Sequence, residues 1–215
     1  MIDNLLKNDL PKAYGLQRKP HLTCYQQTGS FNLSDDVACT GCKTKFTDRN
    51  DWNEAVLKVN ASHYSITVVD HEDYINQFNG TQFAKGGRCD FMMFDAETHR
   101  KVILCDLGCY SQEYVEKKQV KSRQQVYDSI GRFLRQQCGK DFLNLFAEKI
   151  LIFGRRDPAL NSDTTPTPAS GNVKGNMQAF LTNPFSKSKF AESKETIDDT
   201  NVIFLIVNYL EPYIW

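Results

Sequence analysis

Two runs decide the fold of this chain: Arg88-Cys-Asp-Phe-Met-Met-Phe-Asp95 and Lys101-Val-Ile-Leu-Cys-Asp-Leu107. Each is an apolar stretch shorter than an ordinary helix, and the polar residues Ala96 to Arg100 join them. Two such runs predict a β-hairpin, and the nearly unbroken apolar character of the second predicts a strand buried on both faces. One aspartate interrupts each run. Asp90 lies near the start of the first strand and Asp106 near the end of its antiparallel partner, so pairing can set them side by side.

Working outward, Tyr64 to Asp70 is rich in β-branched residues and predicts a strand. A weaker strand is expected through Tyr74 to Phe78, before Asn79-Gly80 turns the chain. Upstream, Thr47 to Asn50 supply capping residues, and Trp52, Ala55, Val56 and Val59 predict a short helix over about 49–60. Downstream, Val126, Tyr127, Ile130, Phe133, Leu134 and Cys138 form one stripe of a long helix, expected to start near Ser111 or Gln112 and to stop before Gly139. Lys149 to Phe153 and Asn201 to Val207 read as further strands. Asp157 to Gly175 is rich in Pro, Ser, Thr and Gly and predicts a mobile loop around 157–175. The summed order predicts a single α/β domain with a central mixed β-sheet flanked by helices. Residues 48–215 are expected to form that core, and residues 1–47 an N-terminal arm, or a short helix packed on something else, followed by a turn-rich, cysteine-containing segment.

The 215 residues suffice for one sizeable core, and 40% hydrophobic with 24% charged residues excludes wholesale disorder. Lys+Arg and Asp+Glu are both 26, so no global basic excess marks a nucleic-acid binder, and a local basic surface stays open. No apolar run approaches the ~20 residues of a membrane span or forms a leader peptide, and the seven cysteines read as reduced thiols. An intracellular, cytoplasmic protein is expected.

A lone carboxylate in apolar sequence carries a heavy desolvation cost, and two side by side repel each other. A shared divalent cation relieves that repulsion, and hard oxygen ligands suit Mg²⁺ or Mn²⁺. The plainer alternative is that each aspartate marks a strand end, caps a turn or pairs with an arginine such as Arg88.

Asp90, Asp106-Leu107-Gly108 and Gln124-Gln125-Val126-Tyr127, in this order and followed by the strand Lys149 to Phe153, resemble the PD-(D/E)XK nuclease superfamily over roughly residues 48–155. The resemblance implies a restriction-endonuclease-like fold and metal-dependent hydrolysis of nucleic-acid phosphodiesters. It further implies Asp90 and Asp106 as metal ligands, Glu54 on a preceding helix as an added ligand, and Gln124, Gln125 and Tyr127 as residues bracing the site. The chain departs from the family at position 108, where glycine replaces the lysine that would orient water and stabilise developing charge. Lys117, Lys118 and Lys121 on the following helix are the candidate substitutes. The alternative from a different class is a catalytically inactive relative that binds nucleic acid or protein.

Between Lys117 and Arg135 that helix carries Lys117, Lys118, Lys121, Arg123, Arg132 and Arg135 against a single acid, Asp128. Such a surplus could neutralise phosphates, with Lys117, Lys118, Lys121 and Arg123 as nucleic-acid contacts, or could be a solvated helix face. His21-x2-Cys24 and Cys39-x2-Cys42 could hold a structural Zn²⁺ tetrahedrally, or could be unliganded thiols. Cys89, Cys105 and Cys109 cluster around the aspartates, and the apolar strands around Cys89 and Cys105 point to packing. A cysteine nucleophile needs a paired histidine, and His99 falls at the far end of the hairpin.

Overall fold

The computed structural model describes residues 1–34, 56–107, 115–155, 190–208 and 212–215. In chain order these form a helical stretch over residues 2–13 (α1), β1 (Cys24–Ser34), β2 (Val56–Asp70), α2 (His71–Asn76), β3 (Phe91–Asp95), β4 (Lys101–Leu107), α3 (Val115–Leu134), α4 (Gln137–Asn144), β5 (Glu148–Arg155), β6 (Phe190–Ile197), β7 (Thr200–Asn208) and β8 (Tyr213–Ile214). The strands make one mixed sheet of order β1-β2-β3-β4-β5-β7-β6, with β8 added in parallel to β2. Strands β1 to β4 meander antiparallel, β5 and β7 lie parallel to β4, and β6 returns antiparallel along β7. The described residues are a single α/β domain with an open sheet.

β4 occupies the middle of this order, and all seven of its residues are buried, as its apolar run predicts. One face carries Met92, Phe94, Val102, Leu104, Leu151, Phe153 and Phe204 against α2, α3, α4 and α1, whose Ile2, Leu6 and Leu10 join the same cluster. On the other face, Met93, Ile103, Ile150, Ile152 and Leu205 pack with Leu33, Leu57, Val59, Tyr213 and Trp215. The far half of the β1–β2 ribbon and the C-terminal β8 therefore cover what the helices do not. A register shift between Gln27 and Gly29, with Gly29 at φ 70, lets that ribbon change course.

Asp95 closes the hairpin. Its carboxylate accepts from the N–H groups of Thr98 (2.8 Å), Arg100 (3.0 Å) and Lys101 (3.2 Å), and His99 takes the left-handed conformation at φ 51. Burial alone would raise the Asp95 pKa, yet the bonds from Thr98, Lys101 and Arg100 hold it below its ordinary value.

Several expectations need correction. The helix over 49–60 is, from Val56 onward, the first part of β2; residues 49–55 lie outside the described ones. Val56 and Val59 satisfy helical spacing, but Leu57, Val59 and Ala61 are the buried set, and that period is two. The weak strand at Tyr74 to Phe78 is instead α2 and its trailing turn. Asp70 caps it by accepting from Asp73 N–H at 2.8 Å, and Tyr74, Ile75 and Phe78 are buried at i, i+1 and i+4. The long helix stops at Leu134, and Cys138 belongs to α4, which runs through Gly139. There a β-carbon would meet the Phe133 carbonyl oxygen at 2.0 Å, so the two helices pack at glycine distance. The turn-rich segment from His21 holds the eleven-residue β1. β6 and β8 carry no strong apolar signal; the turn Asp198-Asp199, with φ 44 and 62, folds β6 onto β7. The loop expected at 157–175 lies outside the described residues.

Candidate functional site

The β3–β4 ladder ends at the pair Phe91–Cys105; Asp106 is the next residue of β4, and Asp90 directly precedes β3. Alternation from Leu104, in the helix-side cluster, puts Asp106 on the helix face, and Cys89, the residue before Asp90, lies in that same cluster. Asp106 is buried, with 3% of its surface exposed, and Asp90 is half-buried. The Asp90 carboxylate accepts from Leu107 N–H at 2.5 Å, which ties the strand ends together where the ladder stops. Carboxylate oxygens are hard donors, the kind that Mg²⁺ and Mn²⁺ take. Among the described residues no group of three or more His, Cys, Asp and Glu side chains is placed to hold a metal ion. Glu54 lies outside the described residues, as does Gly108.

The other predicted residues separate. Gln125 reaches the segment ahead of Asp90, its Nε2 donating to Arg88 C=O at 2.9 Å. Gln124 turns to its own helix and donates to Asp128 Oδ1 at 2.7 Å. Tyr127 stacks on Phe204 of β7 with centroids 6.0 Å apart, and its hydroxyl accepts from Arg123 at 3.0 and 3.2 Å. Arg123 is itself half exposed, stands 4.7 Å over the Phe204 ring and pairs with Glu195. Tyr127 and Arg123 thus belong to the β7 side of α3. Lys117, Lys118 and Lys121 lie in α3, their side chains outside the described ones. Arg132, read as part of the basic helix face, is fully buried and donates to Gly87 C=O, so it is not on a phosphate-binding surface.

Sequence reading missed His71. It opens α2 and is fully buried, with Nδ1 3.2 Å from Cys89 Sγ and 3.2 Å from Cys89 C=O. This is no thiolate–imidazolium pair. Burial, then the Arg132 charge, pull the His71 pKa down to about 3, while burial pushes the Cys89 thiol far above its ordinary value. The Cys105 thiol is raised by burial and then by Asp90, Cys89 and Asp106. Both thiols are packing groups. The only sequence signal for His71 is its place directly after the capping Asp70. Of the zinc set, His21 and Cys24 are exposed at the start of β1, whereas Cys39 and Cys42 lie outside the described residues.

A groove of about 410 Å³ lined by Glu148, Lys149, Lys194 and Asn201 lies at the opposite end of β5 from Phe153, the register partner of Asp106. No helix among the described residues is long and apolar enough to cross a membrane. Compared with models of protein families, with curated proteins and with solved structures, the chain shows no significant match.

Proposed function

We propose that this protein is a metal-dependent nuclease-like protein that hydrolyses, or at least holds, a nucleic-acid phosphodiester on the Asp90–Asp106 pair. One observation supports the reading: Asp106 lies near the end of the buried run of β4 and the Asp90 carboxylate accepts from the N–H of the next residue, Leu107, so both aspartates belong to one end of an otherwise apolar strand pair. The order of parts also supports it, a hairpin bearing both aspartates, then a long helix, then a strand parallel to β4. Asp90 and Asp106 would hold Mg²⁺ or Mn²⁺; the ion would polarise a phosphate oxygen and lower the pKa of an attacking water.

The missing lysine is the reading's open joint. Helical spacing puts positions 118, 121, 125, 128, 129 and 132 on one stripe of α3, and the last four of these face the segment leading to Asp90. Lys118 and Lys121 are therefore the first substitutes to test, with Lys117 at the edge of the stripe. Gly108 favours a second reading, a catalytically silent relative that binds nucleic acid or protein.

The test is cleavage of DNA and of RNA with Mg²⁺ and with Mn²⁺, beside Asp106→Ala and the three Lys→Met variants. Cleavage abolished by Asp106→Ala and by one Lys→Met variant, with folding intact, upholds the enzyme. A wild type that cleaves neither polymer in either metal overturns it and leaves the binding module.

A further inference from the structure

Asp90 precedes the β3 ladder, so strand pairing alone does not fix its backbone. The fixing is done from the helix side, residue by residue. Gly87 N–H donates to Asp128 Oδ2 at 2.6 Å, and Gly87 C=O accepts from the Arg132 guanidinium. Arg88 C=O accepts from Gln125, and Cys89 N–H donates to Ser129 Oγ at 2.9 Å. Ser129 Oγ in turn donates to Gln125 C=O at 2.7 Å, which orients the hydroxyl so that a lone pair faces Cys89. Finally, Asp90 C=O accepts from His71 N–H at 2.9 Å.

The four α3 residues stand at i, i+3, i+4 and i+7, a polar stripe, partly buried at Gln125 and Asp128 and buried at Ser129 and Arg132, where an apolar one is the norm. Ser129 and Arg132 are both fully buried; Arg132 Nη2 donates to Gly87 C=O and Nε to Asp128 C=O, while its Nη1 has no hydrogen-bond partner among the described residues. The approach is close enough to require Gly86-Gly87: a β-carbon on Gly87 would meet the Gln125 Cα at 2.8 Å. So much polar matter on one short segment needs a reason beyond packing, and the segment leads directly into Asp90.

We infer that Gln125, Asp128, Ser129 and Arg132 of α3, together with His71, are positioning residues that hold Asp90 at the end of β4. The inference deepens the reading of the aspartates as a metal pair and rests on it for its functional consequence. The positioning residues touch neither metal nor substrate; they act through the backbone of residues 87–90.

Asp128 offers the cleanest test, because Asp128→Ala removes the Gly87 acceptor while Asp128→Asn keeps an amide oxygen in the same place. Two quantities are measured on the full chain: hydrogen exchange of the Leu107 amide, which bonds Asp90, and the dissociation constant for Mn²⁺ alone. Asp128→Ala should speed Leu107 exchange about tenfold beyond what its global stability change explains. It should also weaken Mn²⁺ binding about tenfold or more, as loss of an outer positioning contact does. Asp128→Asn should restore both to within about threefold of wild type. Leu107 exchange that moves only with global stability overturns the positioning role. A wild type that binds no Mn²⁺ overturns the metal reading instead, and the exchange data then decide the positioning role by themselves.

Discussion

Replacing Gly87 with alanine adds one methyl group at the tightest point between the pre-β3 segment and α3. The new Cβ would meet Gln125 Cα and Cγ at 2.8 Å each and Asp128 Oδ2 at 3.3 Å. The side-chain atoms can rotate away, but the Gln125 Cα belongs to helix backbone, so the segment or the helix must shift by several tenths of an ångström. Such overpacking costs about 1–3 kcal/mol. The shift also stretches the bonds to Asp128, Gln125 and Ser129, each worth about 1 kcal/mol net. The expected loss is about 2–4 kcal/mol, or roughly 5–15 °C in Tm for a chain of this size. Gly131→Ala is the internal control, since a Cβ there meets nothing within 4 Å on the same helix. It should be neutral or stabilise by up to about 1 kcal/mol through helix propensity. Urea denaturation followed by far-UV circular dichroism reads both variants. A Gly87→Ala protein within about 0.5 kcal/mol of wild type, or equal effects of the two substitutions, would refute the close-approach argument.

Three further outcomes follow from burial and charge. His71 has its folded pKa near 3 against an ordinary 6.5, so the unfolded chain binds the extra proton first as pH falls. Its contribution is intact above about pH 6.5 and is lost progressively toward pH 3, amounting to about 2 kcal/mol at pH 5; His71→Gln should flatten that part of the stability–pH curve, and an unchanged slope between pH 7 and 5 would contradict the assignment. Trp215 is 6% exposed in the second core cluster, and Lys101 Nζ stands 5.8 Å from its ring, so Trp215→Ala should cost about 3–5 kcal/mol in urea denaturation. Metal content decides between the readings of His21, Cys24, Cys39 and Cys42: bound zinc would appear as about one equivalent whose chelation lowers Tm, and metal-free protein of unchanged Tm would leave Cys24 an exposed thiol.

The sheet's centre was legible because burial there is two-sided. Phe91 to Asp95, Lys101 to Leu107 and Lys149 to Phe153 are apolar without a polar face, and only strands in the middle of a covered sheet fit that pattern. The edges were not. β1 begins with three exposed residues, Cys24 to Gln26, and buries only Phe31 and Leu33, and β6 reads Glu192-Ser-Lys-Glu-Thr196, charged residues that suit an edge strand and look like a loop. Val56 and Val59 misled because three-residue spacing and alternation agree over so short a stretch. At the site, the apolar setting of Asp90 and Asp106 was readable, and so was the hairpin of β3 and β4 beside them. The role of Arg132 and Ser129 was not, since a polar residue on a helix gives no sign of whether it meets water or a buried backbone. His71 escaped for the same reason: its partners, Cys89 and Asp90, are eighteen and nineteen residues away and meet it only through the fold.

Mn²⁺ binding followed by electron paramagnetic resonance, on wild type and on Asp90→Asn and Asp106→Asn, tests the shared-cation claim most directly. About one tightly held Mn²⁺ per chain is predicted for the wild type, weakened about tenfold or more by either substitution while the far-UV spectrum and urea midpoint stay near wild type. A wild type that holds no Mn²⁺, or variants that bind it as well as the wild type, would contradict the claim.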